Sequence, residues 1–270
     1  MSKPEKITIA IITFHRDFTL LSNLLQSIYR NWNPNEIDSI KVVLNDKPIY
    51  YDIFNNTIER NRHPLFKLDK FFHYQLEPRL HTLDWFSQQM FKCLISDHVD
   101  TDWFLINDCK DTYENKVCID DCFDEHGRAI MHIDHTRKSI GGENTSHWGF
   151  GPFSHAYNNS CSIFNVEPED HKHIHLPYLT PFFVKTSMMK DMVAKLKSST
   201  SGLGGNFFPF LFSLHLDGQL FVTEFLLYNA YCISQNNLKD YIDWDYNQRK
   251  FFNSVSHNLD KRNSDGSRKE

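Results

Sequence analysis

Residues 85–111, WFSQQMFKCLISDHVDTDWFLINDCKD, constrain this chain more than any other stretch. Trp85, Phe86, Met90, Phe91, Cys93, Leu94 and Ile95 fall roughly on one helical face, which predicts a helix. Residues 103–106, WFLI, form a short continuous apolar run, the pattern of a strand buried on both faces. The chemistry then changes at once to Asn107, Asp108, Cys109, Lys110 and Asp111. In open α/β sheets ligands sit beyond the carboxyl ends of the strands. This polar cluster therefore reads either as a site edge or as a solvated turn.

The same grammar occurs earlier. Residues 7–13, ITIAIIT, predict a strand, and 18–32 an amphipathic helix carrying Leu20, Leu21, Leu24, Leu25 and Ile28. Residues 39–44, SIKVVL, predict a second strand that ends in Asn45 and Asp46. A β-α-β order implies a parallel, right-handed crossover. A helix over 50–62 and a third strand over 71–75 follow, and RAIMHI at 128–133 predicts another strand. Residues 140–175 are rich in Gly, Asn, Ser and His with little periodicity, the mark of a functional insert. Beyond it, 186–196 and 221–232 predict helices, 207–215 an apolar helix or strand, and 260–270 a frayed polar tail.

Composition narrows the function. The net charge of −5 argues against a protein living on phosphate-backbone affinity. No stretch reaches the roughly 18 apolar residues of a membrane span, and the N-terminus lacks the cleavage pattern of a signal peptide. Cys93, Cys109, Cys118, Cys122, Cys161 and Cys232 make no zinc set, so free thiols in a reducing cytoplasm are expected. There is no GxGxxG after the first strand, no P-loop and no GxSxG elbow.

The candidate chemistry sits at strand ends. His15, Arg16 and Asp17 follow the first strand, where they read as a nucleotide contact or, through Asp17, as a helix cap. Asp46 reads as an acceptor for a base or ribose hydroxyl, or as turn chemistry. Asp108 and Asp111 suit a divalent cation on a diphosphate, and Lys110 between them could neutralise phosphate without one. Glu224 lies in an otherwise apolar helix, FVTEFLLYNAYC, so it is paired, protonated or lining a cavity. A raised pKa there would suit a general base. His171, His173 and His175 alternate, but most histidines read as surface residues.

A first strand ending Thr13-x-x-Arg16, a second ending Asn45-Asp46, a helix with Trp85-x-x-Gln88-Gln89-x-x-Lys92, and a strand ending Asp108-Cys109-Lys110 together resemble the GT-A class of nucleotide-sugar glycosyltransferases. More narrowly, they resemble a glycosyltransferase-like family of bacteria and their phages. Residues 180–184 (TPFFV), 223–228 (TEFLLY) and His257 are similar to further family positions. The resemblance implies an α/β fold: a GT-A-like, Rossmann-related mixed sheet flanked by helices. It implies one catalytic domain over 1–259 with the 140–175 insert near the acceptor site, and a flexible tail at 260–270.

It implies transfer of a hexosyl or pentosyl group from a nucleotide-diphosphate sugar to a hydroxyl acceptor. Thr13, His15, Arg16, Asp46, Gln89, Lys92 and Lys110 would bind the nucleotide sugar. Glu224 and Asp108 would be catalytic, and Asp108, Asp111 and His257 would hold Mn²⁺ or Mg²⁺. Lys110 stands where the usual last aspartate holds the metal, so a lysine in place of the cation is the other reading. The acceptor would be a saccharide or a hydroxymethylated base in phage DNA, the latter favoured by Arg60, Arg62 and Arg79 and opposed by the net charge. Phage-encoded, the protein would work in the bacterial host's cytoplasm. The rival functions are a non-catalytic nucleotide-sugar or glycan-binding protein on this scaffold and a metal-dependent phosphohydrolase.

Overall fold

The computed structural model describes residues 2–78, 85–130, 152–168, 180–199, 211 and 222–236, with strand segments at 215–216, 219–220, 242–243 and 255–257. Its centre is a mixed sheet with helices on its faces, as the resemblance implies. The strands are β1 (Ile7–Thr13), β2 (Ile37–Leu44), β3 (Leu68–Phe72), β4 (Trp103–Asn107) and, further along the chain, Phe182–Lys185; their order is β3-β2-β1-β4 and then that last strand. The first four are parallel, and Phe182–Lys185 runs antiparallel against β4.

β1 and β4 are apolar without alternation and fully buried, because helices cover both faces of a parallel sheet. The helix α1 (Phe18–Asn31) buries Leu21, Leu24, Leu25 and Ile28, and α2 (Tyr51–Arg60) buries Phe54 and Ile58. Those residues join the strands in one hydrophobic core.

The chain runs β1, β2, β3 outward in one direction and then returns to place β4 on the other side of β1. The direction of winding therefore reverses between β1 and β4. Such a reversal opens a crevice at the carboxyl ends of the strands. Register keeps those ends level: Thr13 pairs with Leu44 and Ile11 with Asn107.

The structure corrects several boundaries. The third strand is Leu68–Phe72, and His73–Leu76 turns into a short helix, α3, where a strand was expected. The Gln75 side chain accepts the Phe72 amide at 2.7 Å, a cap that ends the strand and starts the helix. Helix α4 (Trp85–Leu94) is where the sequence placed it. After β4 come an unexpected strand β5 (Asp111–Tyr113) and a short helix α5 (Ile119–Cys122). Of the strand expected at 128–133, β6 (Ala129–Ile130) is described.

The expected insert contains a helix, α6 (Pro152–Ile163); residues 140–151 and 169–175, with His171, His173 and His175, lie outside the described residues. So do Arg79, most of 207–215 and the tail at 260–270. β7 (Phe182–Lys185) leads directly into α7 (Thr186–Ser198). Strands β8 (His215–Leu216) and β9 (Gln219–Leu220) pair with each other, and α8 (Glu224–Ser234) follows. Last come β10 (Ile242–Asp243) on β6 and β11 (Val255–His257), antiparallel to β5. The cysteines are free thiols, and among the described residues no helix is long and apolar enough to cross a membrane.

Candidate functional site

Helix α4 assembles the site. It is buried nearly all round, so each polar residue on it needs a partner. Ser87 Oγ donates to Asn45 Oδ1 at 3.0 Å, just past the end of β2. Gln88 Nε2 donates to the Ile12 carbonyl at 3.4 Å, near the end of β1. One turn on, Lys92 Nζ lies 3.0 Å from Asp108 Oδ1, past the end of β4, and 2.9 Å from Glu224 Oε1, in the first turn of α8. Three polar positions of one helix, Ser87, Gln88 and Lys92, thus draw three strand ends and the start of α8 to one ledge.

Glu224 opens α8 rather than sitting within it. Thr223 caps the helix, its Oγ1 accepting the Leu226 amide at 3.4 Å. The helix dipole favours a carboxylate there. The Glu224 side chain is only 3% exposed and paired with Lys92, one of the states its place in an apolar helix implies. The Gln89 carboxamide, with its nitrogen turned to Glu224, donates to Oε1 at 2.7 Å and also to Oε2. Phe225 lies beneath Lys92, with Nζ 5.1 Å from the ring centroid.

The charges divide unequally. Burial pulls against a charged Lys92, but Asp108 and Glu224 outweigh it and hold its pKa above the usual lysine value. Burial also opposes a charged Asp108, yet Lys92 together with Lys110, whose Nζ is 3.3 Å from Oδ2, brings it down to about 2. Among the described residues Lys92 is the cation paired with Glu224; burial prevails over it and raises the proton affinity of Glu224 above that of an ordinary glutamate. The site therefore holds one carboxylate whose proton affinity is lowered and one whose proton affinity is raised.

At the other end of the ledge, Asp46 Oδ2 accepts the His15 amide at 2.7 Å and lies 2.6 Å from His15 Nδ1. Its Oδ1 accepts the Lys47 amide at 2.8 Å. The His15 ring stacks on Tyr50 at 3.9 Å with the planes 1° apart. Arg16 is exposed beside them, and Thr13 is buried. Asp17 occupies the N-cap position of α1 without a side-chain capping bond.

Several of these partners had little signal in the sequence. Tyr50 and Ser87 act through contacts distant in sequence. His73 looked like a strand residue; it hydrogen-bonds the Asp46 backbone, and burial lowers its pKa. Buried Cys93 and Cys109 have their thiol pKa values pushed up by burial, which leaves no reactive thiolate here.

Asp111 is fully buried. Its Oδ2 accepts from Asn107 Nδ2 at 3.2 Å and from the Asp108 amide at 2.9 Å, and its Oδ1 from Thr180 Oγ1 at 3.3 Å. β11 sets His257 opposite Asp111 in the strand register; the His257 side chain lies outside the described residues. Mn²⁺ and Mg²⁺ need oxygen lone pairs that are open to them. Asp108 has an ammonium against each oxygen, and Asp111 is satisfied internally. The described carboxylates do not fit a divalent ion while they keep these partners. Among the described residues no group of three or more His, Cys, Asp and Glu could hold one.

No curated protein matches the sequence. Among solved structures, WbbM, a bifunctional glycosyltransferase, is similar at 12% identity and a TM-score of 0.48, covering 93% of this chain and 42% of its own. TarS of S. aureus is similar at 16% identity and a TM-score of 0.39, covering 75% and 33%. The mannosyltransferase Ktr4p of S. cerevisiae shows 11% identity and a TM-score of 0.31, covering 43% and 39%. The chain thus spans less than half the length of each of these structures. A family model matches residues 5–258, a span containing the whole ledge from Thr13 to Glu224: the chain belongs to DUF6492, a family of unknown function.

Proposed function

We propose that the protein is a glycosyltransferase that moves a sugar from a nucleotide-diphosphate sugar to a hydroxyl acceptor. The observation that carries this reading is Lys92, buried between Asp108 and Glu224 at the carboxyl ends of parallel strands. That placement, with Lys110 at its open end, supports a cationic group that can face phosphate and a basic carboxylate behind it, the pair that such a displacement needs. Asp46, His15 and Arg16 would hold the nucleoside above the ends of β1 and β2. Lys110, half-exposed, would meet the diphosphate.

Glu224 would take the proton of the acceptor hydroxyl. The acceptor oxygen would attack the anomeric carbon, the bond from that carbon to the diphosphate oxygen would break, and the configuration would invert. Lys110, backed by Lys92, would stabilise the charge growing on the departing diphosphate. Lysine would thus take the part of the cation, and no step here passes through a metal. The acceptors to assay are saccharides and hydroxymethylated DNA. Arg62, which favoured the latter, pairs with Glu59 at 2.6 Å.

The test is a thermal-shift panel of nucleotide sugars with and without Mn²⁺, followed by transfer assays. One donor is expected to stabilise the protein equally with Mn²⁺ or a chelator. Glu224→Gln is expected to lower transfer about 10²–10⁴-fold while donor binding persists. Unchanged transfer would remove the base assignment, and binding with no transfer by the wild type would favour a binding protein. Phosphate release without an acceptor would favour a hydrolase.

A further inference from the structure

Lys110, Asp108, Lys92 and Glu224 form one file of alternating charge, and its exposure falls along its length. The side chains are 43%, 24%, 4% and 3% exposed in that order. The links are 3.3 Å from Lys110 to Asp108, 3.0 Å from Asp108 to Lys92 and 2.9 Å from Lys92 to Glu224. Water can replace a lost partner at the outer end. At the inner end it cannot, and charges there interact in a low dielectric. Each inner pair therefore depends on how well its outer neighbour is satisfied.

We propose that this file is a relay through which a diphosphate held at Lys110 controls the hold of Lys92 on Glu224. The proposal rests on the reading of the ledge as a diphosphate seat. A diphosphate draws Lys110 off Asp108. Asp108, short of one counter-ion, draws Lys92 more strongly, and the grip on Glu224 loosens. The base becomes competent only when the donor is seated, so the donor binds before the acceptor is activated. Lys92 is then a positioning residue, and Lys110 is the sensor.

Thermodynamic reciprocity supplies a test that needs no transfer assay. If the diphosphate loosens Glu224, then neutralising Glu224 must favour the diphosphate. With Glu224 neutral, Lys92 satisfies Asp108 and Lys110 is free to leave it. The probe is inorganic pyrophosphate, titrated calorimetrically into the full chain and into Lys110→Met, Glu224→Gln and the double variant, with thermal unfolding as the folding control. Lys110→Met is expected to weaken binding about tenfold. Glu224→Gln is expected to tighten it about fivefold, and to do so only where Lys110 is present.

Equal tightening with and without Lys110 would mean that loss of a negative charge acts through space, and it overturns the relay. No effect of Glu224→Gln beside a weakened Lys110→Met also overturns it, while the diphosphate seat survives. No binding by the wild type, or no loss in Lys110→Met, removes the seat and the relay together. Should Glu224→Gln not fold, Glu224→Asp keeps the charge but retracts it from Lys92. It is expected to tighten binding in the same direction; unchanged affinity there counts against the relay.

Discussion

Glu224 and Asp108 show how two carboxylates on one lysine come to differ. Glu224 is buried and Asp108 partly so; Asp108 has a second ammonium, Lys110, whereas the further donor on Glu224 is the neutral Gln89 carboxamide. The consequence for pH is opposite in the two cases. Burial raises the pKa of Glu224 against the pull of Lys92. A base must be unprotonated, so the acid limb of kcat/KM for transfer is expected above the ordinary glutamate range; a limb at or below it removes Glu224 from the role. Asp108 is held at about 2 by its lysines against the effect of burial, below the ordinary 3.8. Its contribution to stability is then fully present above about pH 4 and lost as pH falls towards 2, amounting to about 2 kcal/mol. Denaturant unfolding of wild type and Asp108→Asn at pH 5 and at pH 2.5 is expected to show a gap that narrows by about 1.5 kcal/mol, most of that contribution; a constant gap would contradict the ion pairs. The sequence made Glu224 stand out because a lone carboxylate interrupts an apolar helix. It could not distinguish Asp108 from Asp111, since both follow β4 in one polar run. What separates them is tertiary: Asp111 is enclosed by Asn107, Thr180 and the Asp108 amide.

Helix α4 is the element on which the ledge depends, and its role was partly legible. The spacing of Gln88, Gln89 and Lys92 stood out in the sequence, whereas nothing there singled out Ser87. Its hydroxyl is buried on Asn45, and Asn45 in turn donates its amide to the Thr13 carbonyl at 2.8 Å. Ser87→Ala leaves the buried Asn45 oxygen without that donor, at a cost of about 1 kcal/mol. The same change is expected to raise KM for the donor more than it lowers kcat, because Asn45 precedes Asp46 and not the base; a pure kcat effect would place Ser87 elsewhere in the mechanism. Other elements were misread for identifiable reasons. β3 ends early because Gln75 caps the Phe72 amide, a signal hidden in the apolar run FFHY. α6 was missed because Gly, Asn, Ser and His dominate its neighbourhood. Ala156, Tyr157, Ser160, Cys161 and Phe164 are nevertheless buried at helical spacing, and Phe164 meets Tyr231 of α8 with ring centroids 5.2 Å apart.

At the scale of the molecule, the parallel strands and the crossover were readable because local periodicity alone reports them. The closure of the site was not, because it joins segments far apart in the chain. β5 holds Asp111, Asp111 holds the Asp108 amide, and β5 itself is braced by β11, with Val255 on Tyr113 and His257 on Asp111. The end of the chain therefore supports the turn that presents Asp108 and Lys110, more than 140 residues before it in sequence. A pair of truncations measures that support. Ending the chain after residue 259 keeps β11, and donor affinity and melting temperature are expected to stay as in the full chain. Ending it after residue 254 removes β11 but leaves the five-stranded sheet and its helices. Circular dichroism is then expected to report a folded protein whose donor affinity has dropped about 10–100-fold, since a small displacement of positioning groups has effects of that size. If the shorter chain bound donor as well as the longer, Asp108 would not be held in place from β11, and the bracing would have to come from Asn107 and Thr180 alone.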